Sequence, residues 1–248
     1  MSLSKQALRQ RIWRTLTARG VTRFPGAPGR IPNFVGAEIT ARQIAALRVW
    51  QEAKAIKCNP DSPQRPVRHA ALKAGKLIYM AVLSPRNEKP FLELNPTVLR
   101  KAGIWRASSI RGASSVGKPV TLQEMSPIDL VVAGSVAVSR DGAHLGKGGG
   151  YSVLEYALSR EAGLMDDDTP VVTTVHALQV VPEGEIEMTD HDIAVNCFTT
   201  PDEIVWTDCQ FRQPLGILWA KAGDKLDEIP ALQDLEKVGR CHTSGPAR

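Results

Sequence analysis

The stretch DLVVAGSVAVSRDGAHLGKGGGYSVLEYAL, Asp129 to Leu158, decides how the chain is read. An apolar, valine-rich run comes first. Gly146 to Gly150 then set four glycines and Lys147 in five positions, and a helical pattern begins at Tyr151. Short runs rich in β-branched residues favour strand over helix. A strand, a glycine loop and a helix in that order make a βα unit, and open α/β sheets bind ligands in the loops at the carboxyl ends of their strands. A helix N-terminus there offers free N–H groups and partial positive charge to an anion. Glycine lets the backbone approach closely, and Lys147 adds a point charge. The common fingerprints do not match. A Walker A loop places its lysine after the last glycine, and a dinucleotide loop needs G-x-G-x-x-G, whereas Gly146, Gly148 and Gly150 are spaced by two. The residues alone leave two readings open, a phosphate loop and a flexible turn.

Outward from this unit, the runs KLIYMAVL (76–83), PVVTTVHALQVV (170–181), VNCFTT (195–200) and EIVW (203–206) also read as strands bounded by turn residues. Several lack polar alternation, as expected for strands covered on both faces of a mainly parallel sheet. Leu8, Ile12 and Leu16, with Trp13 alongside, form one apolar stripe on an N-terminal helix that Ser4 can cap. The spacing predicts a second helix over residues 41–55, with Ile44, Leu47 and Ala55 on its inner side, broken by the three prolines of AIKCNPDSPQRP. The pattern predicts one α/β domain over residues 1–230 and a polar C-terminal tail over 231–248.

The chain has 248 residues, a formal net charge of +5 and an ordinary apolar share of 43%, enough for a full core. Its basic balance favours anionic partners, among them nucleotide phosphates, polyglutamate tails and RNA. No uninterrupted apolar run approaches membrane-spanning length, so no membrane association is expected. Four scattered cysteines without a C-x-x-C pair argue against a zinc ribbon or a disulfide framework, and suit a reducing, cytoplasmic setting. Residues 1–37 contain no acid. That composition fits an organelle transit peptide as well as a folded basic helix.

The Asp129–Tyr151 segment resembles the signature of the 5-formyltetrahydrofolate cyclo-ligase family, also called 5,10-methenyltetrahydrofolate synthetase. Asp129, Gly134, Val136, Ala137, Gly142, Leu145, Gly146, Gly148, Gly150 and Tyr151 stand in matching places. Lys5, Leu8 and Arg9 match the family's K-x-x-L-R helix start, and Gln179, His191, Asp192 and Thr200 match its downstream motifs. RIPNFVGA, NPDSPQRPVR and GKGGGYSVLEYA are similar to the methenyltetrahydrofolate synthetase domain-containing branch. The resemblance implies a three-layer α/β/α sandwich related to the sugar-isomerase and CoA-transferase folds. It also implies a folded N-terminal helix, and a monomer or homodimer.

It implies further an ATP- and Mg²⁺-dependent enzyme of one-carbon metabolism acting on a reduced folate. The formyl oxygen of 5-formyltetrahydrofolate takes the γ-phosphoryl group. N10 then closes the ring and phosphate leaves. Such phosphoryl transfer asks mainly for positioning and charge neutralisation, which suits a chain without a nucleophilic triad. By resemblance Lys5, Arg9, Gly146, Lys147, Gly148, Gly149, Gly150 and Tyr151 contact ATP phosphates, and Glu38 and Tyr151 contact the substrate. Physics supports the helix pair: like charges at i, i+4 repel unless an anion lies between them. Glu38 reads equally as the acid favoured in a helix's first turn.

Two departures stand out. The family arginine is His144, and the expected Mg²⁺-holding aspartate is Val153, with Glu155 the nearest substitute on the same helix face. They keep two rivals in view: an ATP-binding paralogue with another substrate, a thiamin-related one being an option, and a non-catalytic RNA- or nucleotide-binding module. Elsewhere, His191 reads as part of an Asp-capped turn and His176 as a satisfied core histidine. Asp166–Asp168 read as a solvated loop. The five cations between Arg100 and Lys118, with Trp105, read as a basic surface loop.

Overall fold

The computed structural model describes residues 4–81, 87–99 and 103–217, together with Pro230. The C-terminal tail expected over 231–248 lies outside the described residues, as do Cys241, Arg100, Lys101, Val82 and Leu83.

The N-terminal helix α1 (Lys5–Ala18) follows the stripe: Leu8, Ile12, Trp13 and Leu16 are buried, and the Ser4 side chain accepts from the Ala7 N–H. Burying each such side chain contributes roughly 1.5–3 kcal/mol. The helix expected over 41–55 is instead α2 (Ala37–Ala46) and α3 (Arg48–Glu52), interrupted by extended backbone at Leu47. Ala55 belongs to a strand, β1 (Ala55–Cys58), buried at every residue. The prolines thus follow a strand rather than end a helix. The Asp129 carboxylate accepts from the Lys54 and Ala55 N–H groups and fixes where β1 begins. The helix α4 (Arg65–Lys73) then leads to β2 (Leu77–Met80), and β3 (Phe91–Leu94) follows. The short helices α5 (Ile104–Ala107) and α6 (Ile110–Val116) precede β4 (Lys118–Val120).

The decisive run forms β5 (Leu130–Ala133), which stops at Gly134. A Cβ on Gly134 would meet Asp61 Oδ2 at 3.0 Å, Ile31 Cγ1 at 3.1 Å and Gln64 Oε1 at 3.3 Å, so the chain passes these side chains closely at this glycine. The rest of the expected strand turns away into a two-stranded ribbon, β6 (Ala137–Val138) with β7 (His144–Leu145). Next come α7 (Tyr151–Glu161), β8 (Val171–Thr174), β9 (Cys197–Thr199) and β10 (Ile204–Trp206). The expected strand over 170–181 ends at Thr174, and a 3₁₀ turn occupies Ala177–Gln179.

Eight strands form one sheet in the order β10-β9-β8-β5-β1-β2-β3-β4. The neighbours from β9 to β2 pair in parallel, and β10, β3 and β4 add antiparallel margins. α2, α3 and α4 pack on one face through Ile44, Trp50 and Leu72 with Ile56, Ile78 and Val132. α7 packs on the other through Tyr156 and Leu158 with Val131, Val171 and Phe198. This is the expected α/β sandwich with a mainly parallel sheet. From β1 the chain runs through α4 to one side of the sheet, and from β5 through α7 to the other. The carboxyl ends of β1 and β5 therefore form a topological switch point, where such sheets bind ligands. No helix among the described residues is long and apolar enough to cross a membrane.

Candidate functional site

Beside that switch point, and joined to it where Lys147 lies near Asp61 and His144 near Gly134, a cleft of about 480 Å³ opens between α1, the glycine loop, α7 and the 191–193 turn. α1 reaches it because its apolar stripe packs on the β6–β7 ribbon, with Leu8, Ile12 and Leu16 in one cluster with Val136, Ala137 and Leu145. That docking turns the helix's polar face, carrying Lys5 and Arg9, over the loop. Arg9 Nε donates to the Gly146 carbonyl at 2.7 Å, and the Lys5 ammonium pairs with Asp192. The structure therefore brings Lys5, Arg9, Gly146, Lys147, Gly148, Gly149, Gly150 and Tyr151 to one cleft.

The loop's glycines serve different ends. Gly148 has φ +95° and lies so close to Arg9 that a Cβ would sit 3.0 Å from the guanidinium carbon. Gly150, at φ +71°, is the residue before α7, and no side chain caps the helix there. The first N–H groups of α7 are open to an anion. Tyr151, 57% exposed, offers an aromatic face at the rim. Leu145, Val153, Leu154, Ala157, Ile193 and Ile217 make the rest of the wall apolar.

The substituted His144 is 7% exposed and sits between two backbone carbonyls, Nδ1 3.1 Å from that of Ile193 and Nε2 3.1 Å from that of Gly134; the neutral ring donates to one of them, and the protonated ring to both. Burial pulls its pKa down, and the two carbonyl contacts oppose that. The ring thus ties the ribbon to the 191–193 turn and β5. Asp192 completes the turn by accepting from Thr189 N and Oγ1 at 2.8 and 2.6 Å, so the expected Asp-capped turn is present. Burial works to raise the Asp192 pKa, but hydrogen bonds from Lys5 and Thr189 outweigh it and hold the carboxyl below its ordinary value. The Arg9 pKa is lowered by burial, an effect Asp192 partly offsets.

Beneath the loop lies a polar layer that sequence reasoning missed. Lys57, 1% exposed on β1, points its ammonium at Glu155 Oε2, 3.3 Å away, and at Asn59 Oδ1, 3.5 Å away. Burial raises the Glu155 pKa, with Lys57 acting against it and Asp61 adding to it. Asn59 donates to Ser152 Oγ at 3.1 Å, and Lys147 lies 3.6 Å from Asp61. The signal was present in the sequence: a lysine inside the buried run AIKC has to find a counter-charge. Arg68 holds the layer's backbone, donating to the carbonyls of Pro60 and Asp61 at 3.0 and 3.1 Å and to that of Asn59.

Two expected residues stand apart. Glu38 is exposed in the first turn of α2 and does not line the cleft. Glu155 faces Lys57 rather than the cleft. His176 sits past the end of β8, where its Nδ1 accepts from the Leu178 N–H. Asp166 braces its own loop by accepting from Asp168 N and Thr169 Oγ1. Of the basic 100–118 segment, Trp105 lies under the Arg65 guanidinium at 4.1 Å.

A mainly parallel sheet with a cationic, glycine-lined cleft beside its switch point is the architecture that the fold and the cleft define. The chain belongs to the 5-formyltetrahydrofolate cyclo-ligase family, which it matches over residues 1–201. It is 38% identical over 239 residues to the methenyltetrahydrofolate synthase domain-containing protein of Mus musculus, covering 95% of this chain and 64% of that protein. For the Homo sapiens protein of the same name the identity is 35% over 239 residues, covering 95% and 62%. The chain thus spans under two thirds of the length of these relatives. In fold it is similar to 5,10-methenyltetrahydrofolate synthetase of Aquifex aeolicus, with a TM-score of 0.51 at 16% identity over 88% of this chain and 100% of that one.

The family implies ATP with Mg²⁺, and the two fare differently against these residues. Lys5, Arg9, Lys147 and the free N–H groups after Gly148 fit a triphosphate. The carboxylates do not fit a Mg²⁺ ion. Asp192, Asp61 and Glu155 each face a lysine ammonium, whereas Mg²⁺ on a phosphate is anchored by one or two free carboxylates.

Proposed function

We propose that the chain is an ATP-dependent 5-formyltetrahydrofolate cyclo-ligase, forming 5,10-methenyltetrahydrofolate with release of ADP and phosphate. The observation that carries this reading is the convergence of Lys5, Arg9, Lys147 and the Gly146–Gly150 loop on one cleft, in a chain of this family. Lys5 and Arg9 take the phosphate charge from one side. Lys147 and the N–H groups that open α7 take it from the other. ATP supplies the phosphoryl group that turns a formyl oxygen into a leaving group. Tyr151 offers its face to a flat ring at the rim, and the apolar wall of Val153, Leu154, Ala157 and Ile193 keeps water from the reacting end. No side chain needs to act as nucleophile, because the substrate's own formyl oxygen and N10 do so.

Purified protein incubated with ATP, Mg²⁺ and 5-formyltetrahydrofolate is expected to develop methenyl absorbance in step with ADP release. Saturating substrates that yield neither product at high enzyme would overturn the proposal. One observation favours a second reading. With His144 engaged by two carbonyls and Val153 in place of an acid, the phosphate end carries fewer free groups than the resemblance implies. On that reading the cleft binds ATP for another substrate, and phosphate binding without methenyl formation would select it.

A further inference from the structure

Three acids around the glycine loop share one feature: each is matched to a lysine from a different element. Asp192, in the turn before β9, holds Lys5 of α1. Asp61, after β1, lies 3.6 Å from Lys147 of the loop. Glu155, on α7, lies 3.3 Å from Lys57 of β1. The cleft wall itself carries Asp192 as its one carboxylate among the described residues, against Lys5, Arg9 and Lys147. The first turn of α7 lines the cleft with Tyr151, Ser152, Val153 and Leu154, none of them an acid.

Mg²⁺ on a polyphosphate does two things. It neutralises oxygen charge, and it anchors the chelate to the protein through one or two carboxylates. The first is done here by side chains already present. Lys5 and Lys147 are partly exposed, at 27% and 45% of their side chains, so each can turn a further N–H donor to a phosphate without leaving its carboxylate. Arg9 is held over the loop by the Gly146 carbonyl and keeps donors for a second partner. The second has no counterpart, since an ammonium stands at each carboxylate. A chelated divalent cation brings more positive charge into a cluster of three cations and finds no anchor there.

We infer that this cleft takes its polyphosphate as the free anion rather than as the magnesium chelate. This rests on the reading of the cleft as a phosphate site and deepens it by naming the ionic form of the ligand. Each ammonium carries three donors, so Lys5 and Lys147 turn one to the phosphate and stay with Asp192 and Asp61, and neither carboxylate is freed for a metal ion.

Isothermal titration calorimetry of the full chain with ATP, and separately with inorganic tripolyphosphate, in EDTA and in excess Mg²⁺ tests it. The account expects both ligands to bind in EDTA at least as tightly as in Mg²⁺, with tripolyphosphate showing that the phosphates suffice. It expects Lys147→Ala to weaken binding more in EDTA than in Mg²⁺, because the lysine acts as the counter-charge. ATP that binds about tenfold or more tightly in Mg²⁺ than in EDTA overturns the inference and leaves the phosphate reading standing. Absence of binding in both conditions overturns the phosphate reading and the inference with it.

Discussion

Removal of the Lys57 ammonium gives the most quantitative prediction. Lys57 and Glu155 keep 2% and 13% of their side chains exposed, and their charged atoms are 3.3 Å apart. In Lys57→Met the apolar stem is preserved and the charge is lost. Glu155 is then a buried carboxylate with Asp61 as an acidic neighbour. Breaking a buried pair by removing one partner costs about 3–5 kcal/mol, a large part of the roughly 5–15 kcal/mol that holds a domain together. The sign of the pH dependence follows from Glu155. Burial already raises its folded pKa, and loss of Lys57 raises it further. The folded state therefore binds more protons than the unfolded chain between the unfolded value of about 4.3 and the raised folded one, and stability falls as pH rises through that window. Urea unfolding of wild type and variant at about pH 5.5 and about pH 8 measures this. The expected deficit is about 3–5 kcal/mol at the higher pH and clearly less at the lower. Lys57→Met/Glu155→Leu, which removes both charges, is expected to recover to within about 1 kcal/mol of wild type. A deficit under about 1 kcal/mol at both pH values, or one that grows as pH falls, refutes the reasoning.

Arg9→Ala removes a guanidinium from the cleft and the donor that holds the Gly146 carbonyl; a charged hydrogen bond of about 1.5–3 kcal/mol implies ATP binding weaker by about tenfold or more, read by calorimetry. Gly148→Ala puts a side chain on a residue at φ +95° and against Arg9. It is expected to cost about 1–2 kcal/mol in urea unfolding and to weaken ATP binding at the same time. Gly36→Ala combines φ +94° with a Cβ 2.6 Å from Pro201, so a loss of more than about 1 kcal/mol is expected without a change in ATP affinity of the folded protein. Asp192 sits below its ordinary pKa, so the stability it lends is present above the unfolded value and is lost as pH falls through the folded one. Asp192→Asn is expected to flatten that acid limb of the stability profile.

Much of this was legible because the physics is local. The α1 stripe, the Ser4 cap and the runs at 130–133 and 171–174 follow from periodicity and β-branching over a few residues. The glycine loop's place after a strand followed from the same pattern. What was missed depends on partners distant in sequence. β1 was hidden because Lys57 interrupts its apolar run and prolines follow at once, and only Glu155, 98 residues on, makes that lysine tolerable inside. β3 and β4 were overlooked because FLEL and KPV carry charged residues that suit the margin of a sheet. The break at Leu47 has no proline or glycine to announce it. The Lys5–Asp192 pair spans 187 positions and follows from α1 docking on the ribbon, which no local pattern encodes. Arg65 and Arg68 had no role in the sequence alone. One stacks on Trp105 and the other fastens the 59–61 backbone.

The central claim is that phosphate sits between α1 and the glycine loop. Amide chemical shifts of isotope-labelled protein titrated with ATP test it most directly. The account predicts the largest changes at Gly146–Gly150 and Tyr151, with smaller ones in the first turns of α1, and their loss in a Lys5→Ala/Arg9→Ala variant that retains its fold. Saturable ATP binding that leaves those amides unmoved, or moves a separate set of residues, would contradict it.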